Sequence, residues 1–198
     1  MAQAVSDKNR VSGVVSQLFL GITALAFAVN LYLIFFYVPI DQFSQTVGRM
    51  LYFHVPAAWS GMIALVVAAV CSVAYLRSRN RRWDRVAYGA VEVGTVFFTM
   101  AIVTGALWAK PIWNTWWVWD ANGTLSFVLW IVFIGYLIVR AYAPTVDVAR
   151  RWGAVVAVVG AAMAPFVYLA GDWWEGLHPV RVTGPGAEGE LETSMRWV

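Results

Sequence analysis

All the imidazole in this 198-residue chain comes from two residues, His54 in "LYFHVPAAW" and His178 in "DWWEGLHPV". Between them, "WNTWWVWDANG" (113–123) sets Trp113, Trp116, Trp117, Trp119 and Asp120 within eight positions. A row of flat indoles suits a large planar aromatic ligand, because rings attract ring faces and edges. Haem fits that description, and its iron takes axial imidazoles. Two histidines supply the ligands of one bis-histidine haem. His54 and His178 are therefore the candidate axial ligands, and the tryptophans are the candidate platform. Read as a short helix, 113–120 carries Trp113, Trp116, Trp117 and Asp120 at i, i+3, i+4 and i+7 on one face. Trp119 points elsewhere. Asn122-Gly123 reads as the stop of that helix, with Thr124 or Ser126 capping the next span.

The elements that must position these residues are membrane spans. The chain is 61% hydrophobic and 13% charged, with mean hydropathy +0.66, well away from soluble-domain composition. Five stretches are long enough to cross a bilayer as helices, at about 18–38, 55–76, 86–108, 125–143 and 153–170. The first has too long an apolar core, and no small-residue cleavage site after it, for a cleaved signal peptide. The expected fold is all-α: a polytopic helical membrane bundle forming a single domain over 1–198. A short surface helix carries the tryptophan motif. The lone cysteine, Cys71, excludes an intrachain disulfide, and the absence of CxxCH excludes covalent c-type haem attachment. Nothing points to nucleic acid, and the net charge is only +3.

Lysine and arginine set the expected direction. With 1–17 cytoplasmic, ten fall on the inner side (Lys8, Arg10, Arg77, Arg79, Arg81, Arg82, Arg85, Arg140, Arg150, Arg151). Four fall on the outer side (Arg49, Lys110, Arg181, Arg196). The positive-inside rule then places His54, the tryptophan loop 109–124 and the tail 171–198 together on the outer face. Taken singly, a histidine at a membrane boundary reads as a hydrogen-bonding interface residue. Trp59, Trp108 and Trp173 read as members of an aromatic belt. Such a belt scatters indoles around a molecule; it does not set three beside an acid on one helical face. Glu92 is the acid well inside a span, and its plain reading is an ion pair with Arg85 or Arg82. Gly153, Ala157 and Ala161 form a small-residue stripe that lets helices approach closely.

"LYFHVPAAW", "VTGALWAKPIWNTWWVWD" and "DWWEGLHPV" together resemble the CcmC-type haem-transfer proteins of bacterial cytochrome c maturation, in the same order from the first span onward. The resemblance implies a non-covalent haem b on the outer face of the cytoplasmic membrane, with Trp113, Trp116, Trp117, Trp119 and Asp120 forming the platform loop. It places His54 and His178 at the iron. It also implies partners: the haem chaperone CcmE, the small membrane protein CcmD and the ATP-driven transporter CcmAB. Three departures stand out. Asn114 replaces a glycine of the motif WGTWWVWDARLTS, and the basic residue after WDA is absent. The chain ends at "MRWV", where the family would begin a sixth span, so either the sequence stops short or this branch has five. The expected activity is holding and handing on haem rather than bond-making catalysis. The alternatives are a haem-b electron-transfer subunit, marked by a haem that resists extraction, and a membrane transporter subunit.

Overall fold

The computed structural model describes residues 2–40, 44 and 46–178 and divides into two compact units. The first contains α1 (Ala2–Tyr32), which runs on into a π-helical turn at Leu33–Tyr37 closed by Val38 N–H donating to the Leu33 carbonyl at 2.9 Å. Leu18, Phe19, Ile22, Leu25 and Phe27 are all exposed on it. The stretch Gly13–Tyr37 is long and apolar enough to span a membrane, the environment in which such a surface is stable.

The second unit holds a 3₁₀ turn (Thr46–Met50) and four helices: α2 (Leu51–Ser78), α3 (Arg81–Trp113), α4 (Ala121–Tyr142) and α5 (Val146–Trp173). Each of the four is also long and apolar enough to span, which makes five such helices among the described residues. The expected all-α membrane bundle is what forms. The links dictate its up-and-down course. Arg79 ends α2 in the left-handed conformation (φ 55°), and the Asn80 side chain accepts from Arg82 N–H at 3.0 Å to start α3. Two residues cannot carry the chain far, so α2 and α3 run antiparallel and pack along their length. Thr145 caps α5 in the same way, through Val148 N–H.

The core is Leu65, Val91, Phe98, Leu129, Phe133, Tyr136 and Val167. Close approach rests on glycine. A Cβ at Gly61 would lie 2.6 Å from the Phe98 ring, and one at Gly160 would lie 2.8 Å from Val132. The expected stripe on α5 is buried at Gly153 and Ala157 and partly covered at Ala161, with Gly160 buried beside it.

One end of the bundle is tied by charge. Asp84 of α3 is buried, forms an ion pair with Arg140 of α4 through both carboxylate oxygens, and accepts from Arg150 Nε of α5 at 3.2 Å. Arg140 also lies over the Tyr88 ring, 5.0 Å from its centroid. The expected ion pair of Glu92 with Arg85 or Arg82 does not form among the described residues. Glu92 instead lies one turn after Tyr88 on the same face of α3. Arg85, seven residues before Glu92, is exposed near the start of α3.

Candidate functional site

At the opposite end α3 stops at Trp113, because Asn114 adopts a left-handed conformation (φ 56°). The expected helix over 113–120 does not form: 114–120 is irregular, and α4 starts at Ala121. Asn122-Gly123 is therefore not a stop. It lies in the first turn of α4, whose cap is Asp120, not Thr124 or Ser126. Asp120 Oδ1 accepts from Gly123 N–H at 2.8 Å. Asn, Asp and Gly favour helix starts and stops alike, so the sequence offered both readings. Gly123 is required here, since a Cβ would fall 2.2 Å from the Val118 carbonyl oxygen.

Asp120 also holds His178. Its Oδ2 accepts from His178 Nδ1 at 2.7 Å and from the His178 backbone N–H at 3.2 Å. A carboxylate only accepts, so the ring proton sits on Nδ1 and the Nε2 lone pair is left for a metal. Asp120 takes two backbone amides and, in addition, the imidazole. Burial pushes the Asp120 carboxyl up, but hydrogen bonds from Gly123 and His178 outweigh that and hold it below the ordinary carboxylate range. A depressed carboxyl contributes stability that is complete above its unfolded value and is lost as pH falls through the lowered one. The Asp120–His178 clasp should therefore survive mild acid and open only below the usual carboxylate range. A pH titration of the His178 ring resonances by NMR checks this.

His54, near the start of α2, is arranged in the same manner. Its Nδ1 lies 2.9 Å from the Ala101 carbonyl and 3.3 Å from Thr104 Oγ1, both on α3. The carbonyl can only accept, so Nδ1 donates and Nε2 is again the free nitrogen. Gly105 leaves room for the ring: a Cβ there would lie 3.0 Å from His54 Cε1. Trp108 lies one turn further along α3. It meets Trp113 edge-on at 4.9 Å between centroids, and Trp113 meets His178 at 5.6 Å. An oxygen acceptor fixing Nδ1 while Nε2 stays free is the usual support of a metal-binding histidine.

The four motif tryptophans do not share one face. Trp116 (59% exposed) and Trp119 (68%) are open, Trp113 is half-buried against His178, and Trp117 turns inward onto Phe127 at 5.9 Å. Without a helix over 114–120, the i, i+3, i+4 pairing has no physical basis. Sequence reasoning missed Ala101, Thr104 and Gly105, which back His54, and took Trp108, which meets Trp113, for a belt residue. The recoverable signal was their spacing: 101, 105 and 108 share a face of α3.

The donors present suit a planar, carboxylated macrocycle. Indole Nε1 of Trp108 and of Trp117 is buried without a hydrogen-bond partner. Such donors normally find an acceptor. Among the described residues no three His, Cys, Asp or Glu side chains converge on a bare metal ion. Two lone imidazoles match an iron whose other ligands come from a macrocycle.

Trp116→Ala should weaken binding of a stacked macrocycle about two- to tenfold, from the ~0.5–1.5 kcal/mol of an aromatic pair, without altering thermal stability. Trp117→Ala should lower stability as well. Haem titration beside a thermal melt in detergent checks both.

A family model described as "Heme exporter protein C" (CcmC) matches residues 2–198. Heme exporter protein C of Bradyrhizobium diazoefficiens is 32% identical over 140 residues, covering 71% of this chain and 53% of that protein. The Escherichia coli protein of the same name is 31% identical over 144 residues, covering 73% and 59%. A ccmC-like mitochondrial protein of Marchantia polymorpha, named for cytochrome c biosynthesis, is 29% identical over 163 residues, covering 82% and 69%. The chain thus spans between about half and two thirds of the length of these relatives. With a match over nearly its whole length, joined to a helical membrane bundle and a paired-histidine, tryptophan-rich end, the chain belongs to the heme exporter protein C family.

Proposed function

We propose that the protein holds a non-covalent haem b at the outer face of the cytoplasmic membrane and hands it to the chaperone CcmE for c-type cytochrome assembly. CcmD and CcmAB are its membrane partners in this reading. The observation that carries it is the matched state of the two imidazoles: each is fixed through Nδ1 to an oxygen acceptor, and each keeps Nε2 for iron. Names of relatives in haem export and cytochrome c biosynthesis support the substrate class. The ten-to-four bias of Lys and Arg supports the outer face.

The residues divide the work. His54 and His178 would ligate iron, Trp113, Trp116 and Trp119 would cover the macrocycle, and Trp117 would anchor the loop on Phe127. Asp120 keeps His178 in the ligating tautomer. Neutral imidazoles can leave one at a time, so an incoming chaperone histidine can enter as one departs. That suits a carrier rather than a permanent redox centre. One observation favours the electron-transfer reading: His54 packs beside Ala101–Gly105, well before the end of α3 at Trp113.

Co-expression with CcmE tests the proposal. The parent chain should yield haem covalently bound to CcmE, and His54→Ala or His178→Ala should yield almost none. A haem that stays in the protein and never reaches CcmE would instead mark a cytochrome. A reporter active only outside the cytoplasm should be active when fused after Gly123 and silent after Arg82. Activity at Arg82 would reverse the orientation.

Asp120→Asn isolates the positioning role. Asparagine has one acceptor oxygen where three N–H groups need two. An amide N–H facing Nδ1 would favour the tautomer with its proton on Nε2. Haem affinity should fall about 10–100-fold, the usual loss for such outer partners, with a shift from low-spin toward mixed-spin absorption.

A further inference from the structure

Lys110 lies in the last turn of α3, three residues before Trp113 and so on the same side of the helix. Its ammonium donates to Asn114 Oδ1 and to the Asn114 carbonyl, both at 3.2 Å. It also sits 6.0 Å from the centroid of the Trp116 ring. All of these partners are neutral. Among the described residues no carboxylate pairs with Lys110, and the acid of the motif, Asp120, is committed to Gly123 and His178. An ammonium has three N–H donors. Asn114 takes two of them, and one donor with its full charge remains at the edge of the tryptophan surface.

We propose that Lys110, clasped by Asn114, is the cationic partner of a haem carboxylate at this site. The proposal rests on the haem-holding reading above and names a determinant of it. It also connects the two departures from the family motif. The left-handed turn at 114 admits glycine or asparagine, but only asparagine supplies the Oδ1 that holds the ammonium over Trp116. Where the basic residue after Asp120 is missing, Lys110 brings a positive charge to the same loop from its other end. Charge-assisted pairing of ammonium with carboxylate is the recognition involved.

Ferric haem and its dimethyl ester, in which both carboxylates are neutralised, provide the test. Each is titrated into the purified parent, Lys110→Gln and Asn114→Gly in detergent, following the Soret band. Lys110→Gln should bind haem about five- to tenfold more weakly and bind the ester as the parent does. Asn114→Gly keeps the turn and should give a smaller loss in the same direction. All three should keep the low-spin spectrum, since both imidazoles are untouched. Equal weakening of haem and ester in Lys110→Gln would make the lysine a structural residue and overturn the proposal, as would no weakening of haem. Those outcomes leave the haem-holding reading intact. That reading fails separately, and takes this proposal with it, if the parent gives no low-spin spectrum dependent on His54 and His178.

Discussion

Alanine at His54 or at His178 should convert a six-coordinate low-spin haem spectrum into a five-coordinate or mixed one. Each imidazole is held by a different element, His54 by α3 and His178 by Asp120, so neither can move to replace the other. Added imidazole should restore the low-spin form by filling the vacated position. Restoration should be easier at 178, because that residue lies beyond the end of α5 and its side chain is only partly covered. The double variant keeps the indoles and Lys110 but no iron ligand, and should retain little haem through purification. Pyridine haemochrome quantification measures retention, and visible spectra of the oxidised and reduced states report coordination. An unchanged low-spin spectrum in His178→Ala would remove that residue from the iron and leave the Asp120 clasp without a role in binding.

The largest effect on the fold is expected at the other end of the bundle. Asp84→Ala would leave Arg140 and Arg150 without the carboxylate that joins α3, α4 and α5. Their side chains are 15% and 18% exposed, so water replaces the lost partner poorly. Breaking a buried ion pair from one side costs roughly 3–5 kcal/mol, and the partial exposure of both arginines places the expected loss toward the lower figure. Arg150 also bonds Asp147 at 3.2 Å, so Arg140 carries most of the penalty. The triple change Asp84→Leu, Arg140→Met, Arg150→Met removes every charge together and should recover much of the stability. Thermal unfolding in detergent, followed by circular dichroism, compares the three proteins. A melting point unchanged in Asp84→Ala would show that the cluster does not hold these helices together. Haem affinity of the folded fraction should be unaffected in all three, since the cluster and the imidazoles sit at opposite ends.

The particular elements show what could be read without coordinates. Spans are legible because a bilayer imposes length and apolarity on each helix separately; the runs 55–76, 86–108 and 153–170 lie inside α2, α3 and α5, while 125–143 passes the end of α4 by one residue and 18–38 passes the end of α1 through the π turn to Val38. That His54, the tryptophans and His178 gather at one end also followed, since alternating spans place every second connection together. The 113–120 helix was misread because turn-forming residues carry the same signal at either end of a helix. Trp117 turns inward and Trp108 joins the site through packing against Phe127 and Trp113, neighbours set by the bundle. The Asp120–His178 clasp joins residues 58 apart, and Asp84–Arg140–Arg150 ties together three helices. Composition and periodicity act along the chain and so are written in it, whereas a hydrogen bond between distant residues exists only once helix packing has brought donor and acceptor within about 3 Å of each other.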